Sequence, residues 1–498
     1  MNHRPLAFLR SIVLDTPSSS DRTADVDRLS DALVKTGLTD VKIPIQVMRR
    51  VPGELRKNHY HVDLAIGSFG ASLKILDISR GTLYGLAVDI GSSNIECSLF
   101  NLVSGKKIDE TGIENPQIRF GDDVLTRVQR AMMGESCLLS QALLEGLNML
   151  VNKVCERNNI IGQDILGVTV AGNTIMSHFF LGLDVTNIPI SPHIPAVNHC
   201  LFLKAEDIGL SVHKNAVIYI FPNSGGYVGG DIISGMISSG IYREEHPSLF
   251  IDVGTNVEIT LGCRDWIMVG AGAAGPALEG GVAHIGKKAD RGAISAVKIN
   301  KLTKEIEMKV ISDGEPSGIC GSGLIDLVSE MFSANIIDQA GKFTGSGKGI
   351  IEKNGEKAYQ VYKTDERELI LTESEIKNFL LSKAAMFSFL YVFVKSVGLT
   401  FSDIKKVFIG GALGCNINLD NAITIGMLPD VPRERFVPLG NSSLRGAEMV
   451  LLNEDLTIEI DDVLPKITYR EMNEDVELMN VFPGALFIPH TDSSFLTT

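Results

Sequence analysis

The residues best placed to do chemistry come in two similar sets. Leu86-Ala87-Val88-Asp89-Ile90-Gly91-Ser92-Ser93-Asn94 is an apolar run that meets an aspartate, a glycine and then two hydroxyls. The chain repeats the pattern at Leu249-Phe250-Ile251-Asp252-Val253-Gly254-Thr255-Asn256, with the second aspartate 163 positions after the first. A further apolar stretch follows each set, over residues 95–99 and 257–261, as expected for a β-hairpin bent at the glycine. A glycine in so tight a turn lets backbone N–H groups approach phosphate oxygens, and the neighbouring hydroxyls add donors. An aspartate at the strand end can hold Mg2+, usually through water. A third apolar strand, Val407-Phe408-Ile409, ends in Gly410 and Gly411, which would let a nucleotide lie against bare backbone. Placed on two facing lobes, the two turns are expected to grip one nucleoside triphosphate from both sides.

Between the copies come strand-to-helix junctions. Val168-Thr169-Val170-Ala171-Gly172-Asn173-Thr174 leads into an apolar helix from Ile175. A strand over 216–221 is followed by Pro222-Asn223-Ser224-Gly225-Gly226 and a helix near residues 231–241. Strands alternating with helices indicate mixed α/β layers. Asp231 and Glu279 sit in glycine-rich segments. Each is a candidate to orient an attacking water or hold the metal's waters, against a structural or surface role. With Asp89 they form the candidate catalytic set, and Asp89 and Asp252 are the candidate metal ligands. Lys287, Lys288 and Arg291 follow Gly280-Gly281 and read as solvated charge before phosphate contacts.

The elements before Leu83 are organised differently. After a polar stretch, Pro17-Ser18-Ser19-Ser20-Asp21, a helix is expected from about residue 23 to 35, with Val26, Leu29, Leu33 and Val34 on one face and Gly37 closing it. Residues 41–48 and 62–76 alternate or run apolar in β fashion. Residues 1–82 therefore read as a small α+β module.

The 498 residues are 44% hydrophobic and 21% charged, enough for a sizeable core in two or three lobes. A formal net charge of -14 argues against a nucleic-acid partner, which calls for a basic face. The first apolar run, 6–14, is broken by Arg10, and no small-residue cleavage site follows it. The run 384–394 is short of the roughly 20 residues that cross a bilayer and reads as a buried helix. A cytoplasmic protein without membrane contact is expected. The seven cysteines are scattered, with 18 positions between the nearest two, Cys137 and Cys155, which suggests reduced and mostly buried thiols.

The turn residues resemble the actin, sugar-kinase and seventy-kilodalton heat-shock superfamily. Residues 89–94 correspond to its first phosphate motif, 252–256 to its second, and Gly410-Gly411 to its adenosine motif. Further segments narrow the resemblance: Asn115-Pro116-Gln117, Phe120-Gly121-Asp122-Asp123-Val124, Ala171-Gly172-Asn173-Thr174 and Gly226-Tyr227-Val228-Gly229-Gly230-Asp231 in the first part of the chain. Later come Ala274-Gly275-Pro276-Ala277-Leu278-Glu279-Gly280, Gly318-Ile319-Cys320-Gly321-Ser322-Gly323, and Gly440-Asn441-Ser442-Ser443-Leu444 with Gly446-Ala447. Together they are similar to the reductive activators of corrinoid proteins, from about residue 84 to the end. Residues 1–82 look like the small middle domain that precedes the ATPase in that family.

The resemblance implies an α/β fold, an actin-like ATPase of two related, ribonuclease H-like lobes over 83–245 and 246–498, preceded by the α+β domain 1–82. It implies ATP and Mg2+ as ligands, contacted by Gly91, Ser92, Ser93, Asn94, Gly254, Thr255, Asn256, Gly275, Gly410 and Gly411. It further implies that ATP drives an uphill electron transfer to an inactive Co(II) corrinoid, restoring the Co(I) methyl acceptor of a methyltransferase system, and that the protein forms a homodimer.

The sequence departs from the family in places. No cysteine precedes Cys97, and the later ones lack cluster spacing, so no iron–sulfur cluster is expected in this chain. Either a separate ferredoxin-like donor supplies the electrons, or this member uses ATP on a corrinoid or other partner without carrying electrons. Val257 stands where the family has glycine, and Ser92, Ser93 and Asn94 where it has threonines. His178 and His193 suggest a cobalt ligand, but beside apolar neighbours they read first as satisfied core residues. Two other functions stay open: a small-molecule kinase, with Asp122 or Asp123 as base, and a non-enzymatic nucleotide-responsive binding protein.

Overall fold

The computed structural model describes all residues except 1–2, 79–80, 255, 273–280, 313, 346, 412–416, 473–475 and 498. Strands β1 (Ala7–Val13), β2 (His61–Phe69) and β3 (Ser72–Ile78) form an antiparallel sheet in that order. Leu29 and Leu33 of the helix Asp25–Lys35, and Val51 and Leu55 of the helix Val51–Lys57, share a buried core with Leu64, Ile66 and Ile75 of this sheet. Two expectations fail here. Val34 is exposed, because the face that packs is set by Leu29 and Leu33, with Arg28 buried beside them and paired to Asp21. Residues 45–48 form a helical turn, entered from Pro44 in extended conformation, and only Val47 of that turn is buried. The alternation from Val41 misleads, since a single bridge, Lys42 to Lys74, joins this stretch to the sheet.

The next sheet is built from β4 (Tyr84–Ile90), β5 (Asn94–Asn101), β6 (Lys106–Glu114), β7 (Ile165–Gly172), β8 (Leu201–Lys204) and β9 (Val217–Ile220), in the order β6-β5-β4-β7-β9-β8. β4 and β5 are the expected hairpin, and β4, β7 and β9 run parallel. Every residue of β7 is buried, as a parallel strand covered on both faces requires. Leu139, Leu143, Leu147 and Leu150 of the helix Ser136–Asn158 share the core of this sheet.

The second sheet repeats the plan. Its strands are β10 (Ser248–Val253), β11 (Val257–Gly262) and β12 (Ile267–Gly272), followed in the chain by two small sheets. One contains β13 (Ala293–Ile299), β14 (Ile306–Val310) and β15 (Gly318–Ile319), the other β16 (Ile350–Lys353), β17 (Glu356–Lys363) and β18 (Glu368–Thr372). The main sheet is completed by β19 (Val407–Gly410), β20 (Phe436–Gly440) and β21 (Ile467–Tyr469), in the order β20-β19-β10-β11-β12-β21. Again the first strand makes an antiparallel hairpin on one side and has two parallel strands on the other. The duplication read from the two turns is therefore a duplication of topology.

By contacts the chain divides into two units, Met1–Ser238 with Ser443–Pro465, and Ser239–Ser442 with Lys466–Thr498. In the second unit the glycines around Cys320 serve packing: a Cβ on Gly323 would lie 2.3 Å from the Ile294 carbonyl, so the helix Gly321–Ser333 sits directly on β13. The helix Glu373–Lys395 contains the apolar run 384–394. It is long and apolar enough to cross a membrane by length and composition, but most of it is buried inside its own unit. It opens with a capping box in which Thr372 and Glu375 exchange hydrogen bonds.

Lys383 on that helix is fully buried. Its ammonium donates to the carbonyls of Ala485 (2.6 Å), Phe487 (2.8 Å) and Pro489 (2.6 Å), which ties the C-terminal segment to the helix. Burial pulls its pKa down to about 7. Replacing Lys383 by Met removes the donor and leaves these carbonyls short of a partner. The expected loss is about 2–3 kcal/mol of unfolding free energy, read by denaturant titration. A loss under about 0.5 kcal/mol would show that the tie carries little stability.

Candidate functional site

In the first unit the parallel register of β4 and β7 sets Asp89 opposite Ala171 and Ile90 opposite Gly172. The first turn thus lies beside the junction Gly172-Asn173-Thr174, where Asn173 caps the helix Thr174–Leu181 by accepting from the Met176 N–H at 2.9 Å. The turn is held from below by buried Asn115. Its side-chain amide donates to the Gly91 carbonyl at 2.9 Å, and its backbone N–H donates to the Ser93 carbonyl at 2.8 Å. A Cβ on Gly91 would lie 2.7 Å from the Asn94 carbonyl oxygen, so the turn closes only around glycine. Gly91, Ser92 and Ser93 are half-buried and Asn94 is exposed.

Asp231 comes to the same junction from another direction. It occupies the first turn of the helix Gly230–Ser239, whose approach depends on Gly229. A Cβ on Gly229 would lie 2.5 Å from Asn173 Cα and 2.7 Å from Asp231 Oδ1. Asn223 accepts from the Gly230 N–H at 3.2 Å and fixes the loop. Asp89 itself accepts a hydrogen bond from the Ser443 hydroxyl, Oγ to Oδ1 2.7 Å.

In the second unit the corresponding carboxylate is Asp252, opposite Gly410 in the parallel β10–β19 pair. The Ser442 hydroxyl donates to Asp252 Oδ2 at 2.6 Å. Burial pushes the Asp252 carboxyl up from its ordinary pKa, and the Ser442 hydrogen bond pulls it back down. The paired glycines make this arrangement sterically possible. A Cβ on Gly410 would lie 2.5 Å from Ser442 Oγ. Gly411 has φ +81°, and a Cβ there would lie 2.4 Å from the Val253 carbonyl and 2.6 Å from Asp252 Oδ1. At Gly254, by contrast, Asn256 O, at 4.0 Å, is the only atom of the described residues near a Cβ position. Val257 is fully buried at the start of β11 and belongs to the core.

Each unit thus presents a strand-end carboxylate, a buried hydroxyl bonded to it, and glycine backbone beside it. Carboxylate and hydroxyl oxygens are hard donors of the kind that suit Mg2+, and bare glycine backbone suits phosphate, so the residues present fit a magnesium nucleotide. Thr255, Gly275 and Glu279 lie outside the described residues. Lys287, read as solvated charge, is engaged with Asp290, the Ser317 hydroxyl and the Arg291 carbonyl, each at 2.9 Å. His178 is fully buried and satisfied: Nδ1 bonds the Thr174 carbonyl at 2.6 Å and Nε2 accepts from the Ala196 N–H at 3.1 Å. His193 is half-buried, with Nδ1 3.0 Å from the Ile188 carbonyl and Nε2 3.1 Å from the Tyr227 hydroxyl. Sequence reasoning assigned no role to Asn115, Ser442 or Ser443. The available signal was their place in two segments of the resemblance, Asn115-Pro116-Gln117 and Gly440-Asn441-Ser442-Ser443-Leu444, which carried no residue roles.

Two sheets of one plan, each opening on an Asp-x-Gly turn, define an actin-like fold of the ASKHA class, a fold that suggests nucleotide binding. Residues 246–498 match the family described as the C-terminal domain of RACo, the ASKHA domain; residues 84–244 match the RACo middle region and 1–83 the RACo linker region. The chain belongs to this family, the reductive activators of corrinoid proteins. A solved structure of a reductive activator for a corrinoid, iron–sulfur protein is 33% identical, with a TM-score of 0.91, over 99% of this chain and 81% of that one. Corrinoid activation enzyme RamQ of Eubacterium limosum is 29% identical over 80% of this chain and 69% of RamQ. A reductase of a Co(II) methylated amine-specific corrinoid protein from Methanosarcina barkeri is 23% identical over 78% of this chain and 73% of its own length.

A comparison of two glycines tests the site geometry. Gly398 has φ +74° and open space around a Cβ, so Gly398→Ala should cost about 1–2 kcal/mol from left-handed strain alone. Gly411→Ala adds a collision with the Val253 carbonyl and should cost at least about 1 kcal/mol more. Denaturant titration and calorimetry read both. Equal stability losses would mean that the close approach at Gly411 is not real.

Proposed function

We propose that this protein is an ATP-dependent activator of a corrinoid protein, supporting return of its inactive Co(II) form to the Co(I) methyl acceptor of a methyltransferase system. The observation that carries this reading is the pair of hydroxyl-bonded Asp-x-Gly turns in a chain that is similar, over 99% of its length, to a reductive activator. The bound nucleotide supplies free energy that biases the protein toward the state engaging its partner. Asp89 and Asp252 are each a carboxylate that would hold Mg2+, through water or directly. The backbone of Gly91, Gly254, Gly410 and Gly411 approaches its phosphates and adenosine, with Ser92, Ser93, Asn94, Thr255, Asn256 and Gly275 alongside. Asp231 and Glu279 orient the attacking water if the nucleotide is cleaved.

The redox step transfers one electron from a separate low-potential donor to Co(II), leaving the donor oxidised by one electron and the cobalt as Co(I). A separate donor is the reading that the chain's scattered cysteines favour. The kinase reading needs a carboxylate free to act as base. Asp123, one of its two candidates, is already engaged as a helix cap, accepting from the Thr126 N–H at 2.8 Å and its hydroxyl at 2.6 Å.

An anaerobic assay tests the proposal. A Co(II) corrinoid protein, a one-electron donor and its methyl substrate are mixed with this chain, with and without MgATP. Methylated corrinoid should accumulate only when chain and ATP are both present, and Asp89→Ala or Asp252→Ala should slow it at least about tenfold. Equal rates without ATP would contradict the reading. Transfer of labelled phosphate to a metabolite would favour the kinase instead.

A further inference from the structure

We propose that Ser442 and Ser443 are positioning residues for the nucleotide's metal, Ser442 orienting the Asp252 carboxylate and Ser443 orienting that of Asp89. The inference rests on the reading that MgATP is held at these two turns. It assigns a role to two hydroxyls of the segment Gly440-Asn441-Ser442-Ser443-Leu444, which the sequence marked only as part of a resemblance.

Both hydroxyls are buried, with 0% and 6% exposure, so water competes little for them. Each spends its one hydrogen on a carboxylate, at 2.6 Å and 2.7 Å, the distance of a charge-assisted bond. Serine near a helix start commonly turns back onto the helix backbone. Here the hydroxyls at the start of the helix Ser442–Leu452 leave it for acidic groups 190 and 354 positions away.

Each serine is also held in place within its own unit. Ser443 is anchored through its backbone carbonyl, which accepts from the buried Ser234 hydroxyl at 2.6 Å. Three residues on, a Cβ at Gly446 would lie 2.0 Å from the Ser234 carbonyl, and the Ala447 carbonyl accepts from Thr169 at 2.9 Å. These contacts lock the helix against the helix Gly230–Ser239 and strand β7, so the Ser443 hydroxyl has a fixed origin. Ser442 occupies the space that the missing side chain of Gly410 leaves. A carboxylate that binds a metal must present an oxygen in one orientation. A buried donor from a rigid base restricts its rotation, as outer-shell partners do at metal sites.

The test uses the full chain and measures binding rather than turnover. Calorimetry gives the affinity for ATP in EDTA and across a Mg2+ series, for wild type, Ser442→Ala, Ser443→Ala and Ser443→Thr. Each alanine variant should keep its metal-free ATP affinity within about threefold, yet need about tenfold more Mg2+ for half-maximal enhancement, and Ser443→Thr should restore the wild-type Mg2+ requirement. If Ser442→Ala does not fold, Ser442→Cys, similar in size but a weak donor, should show the same rise. A wild-type Mg2+ requirement in the variants overturns the positioning role while leaving the nucleotide reading intact. Failure of wild type itself to bind ATP overturns the nucleotide reading, and this inference with it.

Discussion

A carboxylate at a strand end is useful to a metal only if it is held, and the structure holds two of them in the same manner. Asp89 and Asp252 each stand at the end of a central parallel strand, each followed by a one-residue step to glycine, and each bonded by a buried serine hydroxyl. Much of the surrounding architecture serves that condition. Gly410 makes room for Ser442, Gly411 for the Val253 carbonyl, Gly229 for the Asn173 junction and Gly446 for Ser234. Asn115, buried under the first turn, fixes the backbone that the aspartate leads into. The cost is crowding: at several of these glycines a single added carbon would meet backbone atoms that have nowhere to move.

The turns were legible in the sequence because their chemistry is local. An apolar run ending in Asp-x-Gly, repeated at a distance, prints strand, turn and duplication in a few adjacent residues, and the two sheets confirm the repeat as topology. The hydroxyl partners were not legible, since they lie far away in the chain and announce themselves only through three-dimensional contact. The paired glycines show a subtler limit. They were read as bare backbone for a nucleotide, and the atoms nearest a Cβ there are the protein's own, so packing alone already requires them. In the first domain, residues 41–48 show why alternation is a weak guide in short stretches. Val41, Ile43, Ile45 and Val47 alternate as a strand should, and Pro44 nevertheless starts a helical turn. Val34 lies next to a buried position and is itself exposed, a boundary that one turn of a helix leaves undecided.

Family membership and site chemistry support each other without being the same argument. The family match covers the linker, middle and C-terminal regions in order, and it places the chain among proteins named for activating corrinoids. The site adds what a name does not: which carboxylates are held, by what, and how each depends on residues far off in the sequence. Buried Lys383, tying the C-terminal segment by three carbonyls, shows the same economy in a part of the fold without catalytic candidates.

The central proposal is that the chain binds MgATP and that the carboxylate of each duplicated turn contributes to that binding. Calorimetric titration of the full chain with MgATP measures this directly, through its dependence on each aspartate. The account predicts saturable binding that is weakened at least about tenfold in Asp89→Ala and in Asp252→Ala alike. Absence of MgATP binding, or a variant of either aspartate that binds MgATP as wild type does, would contradict it.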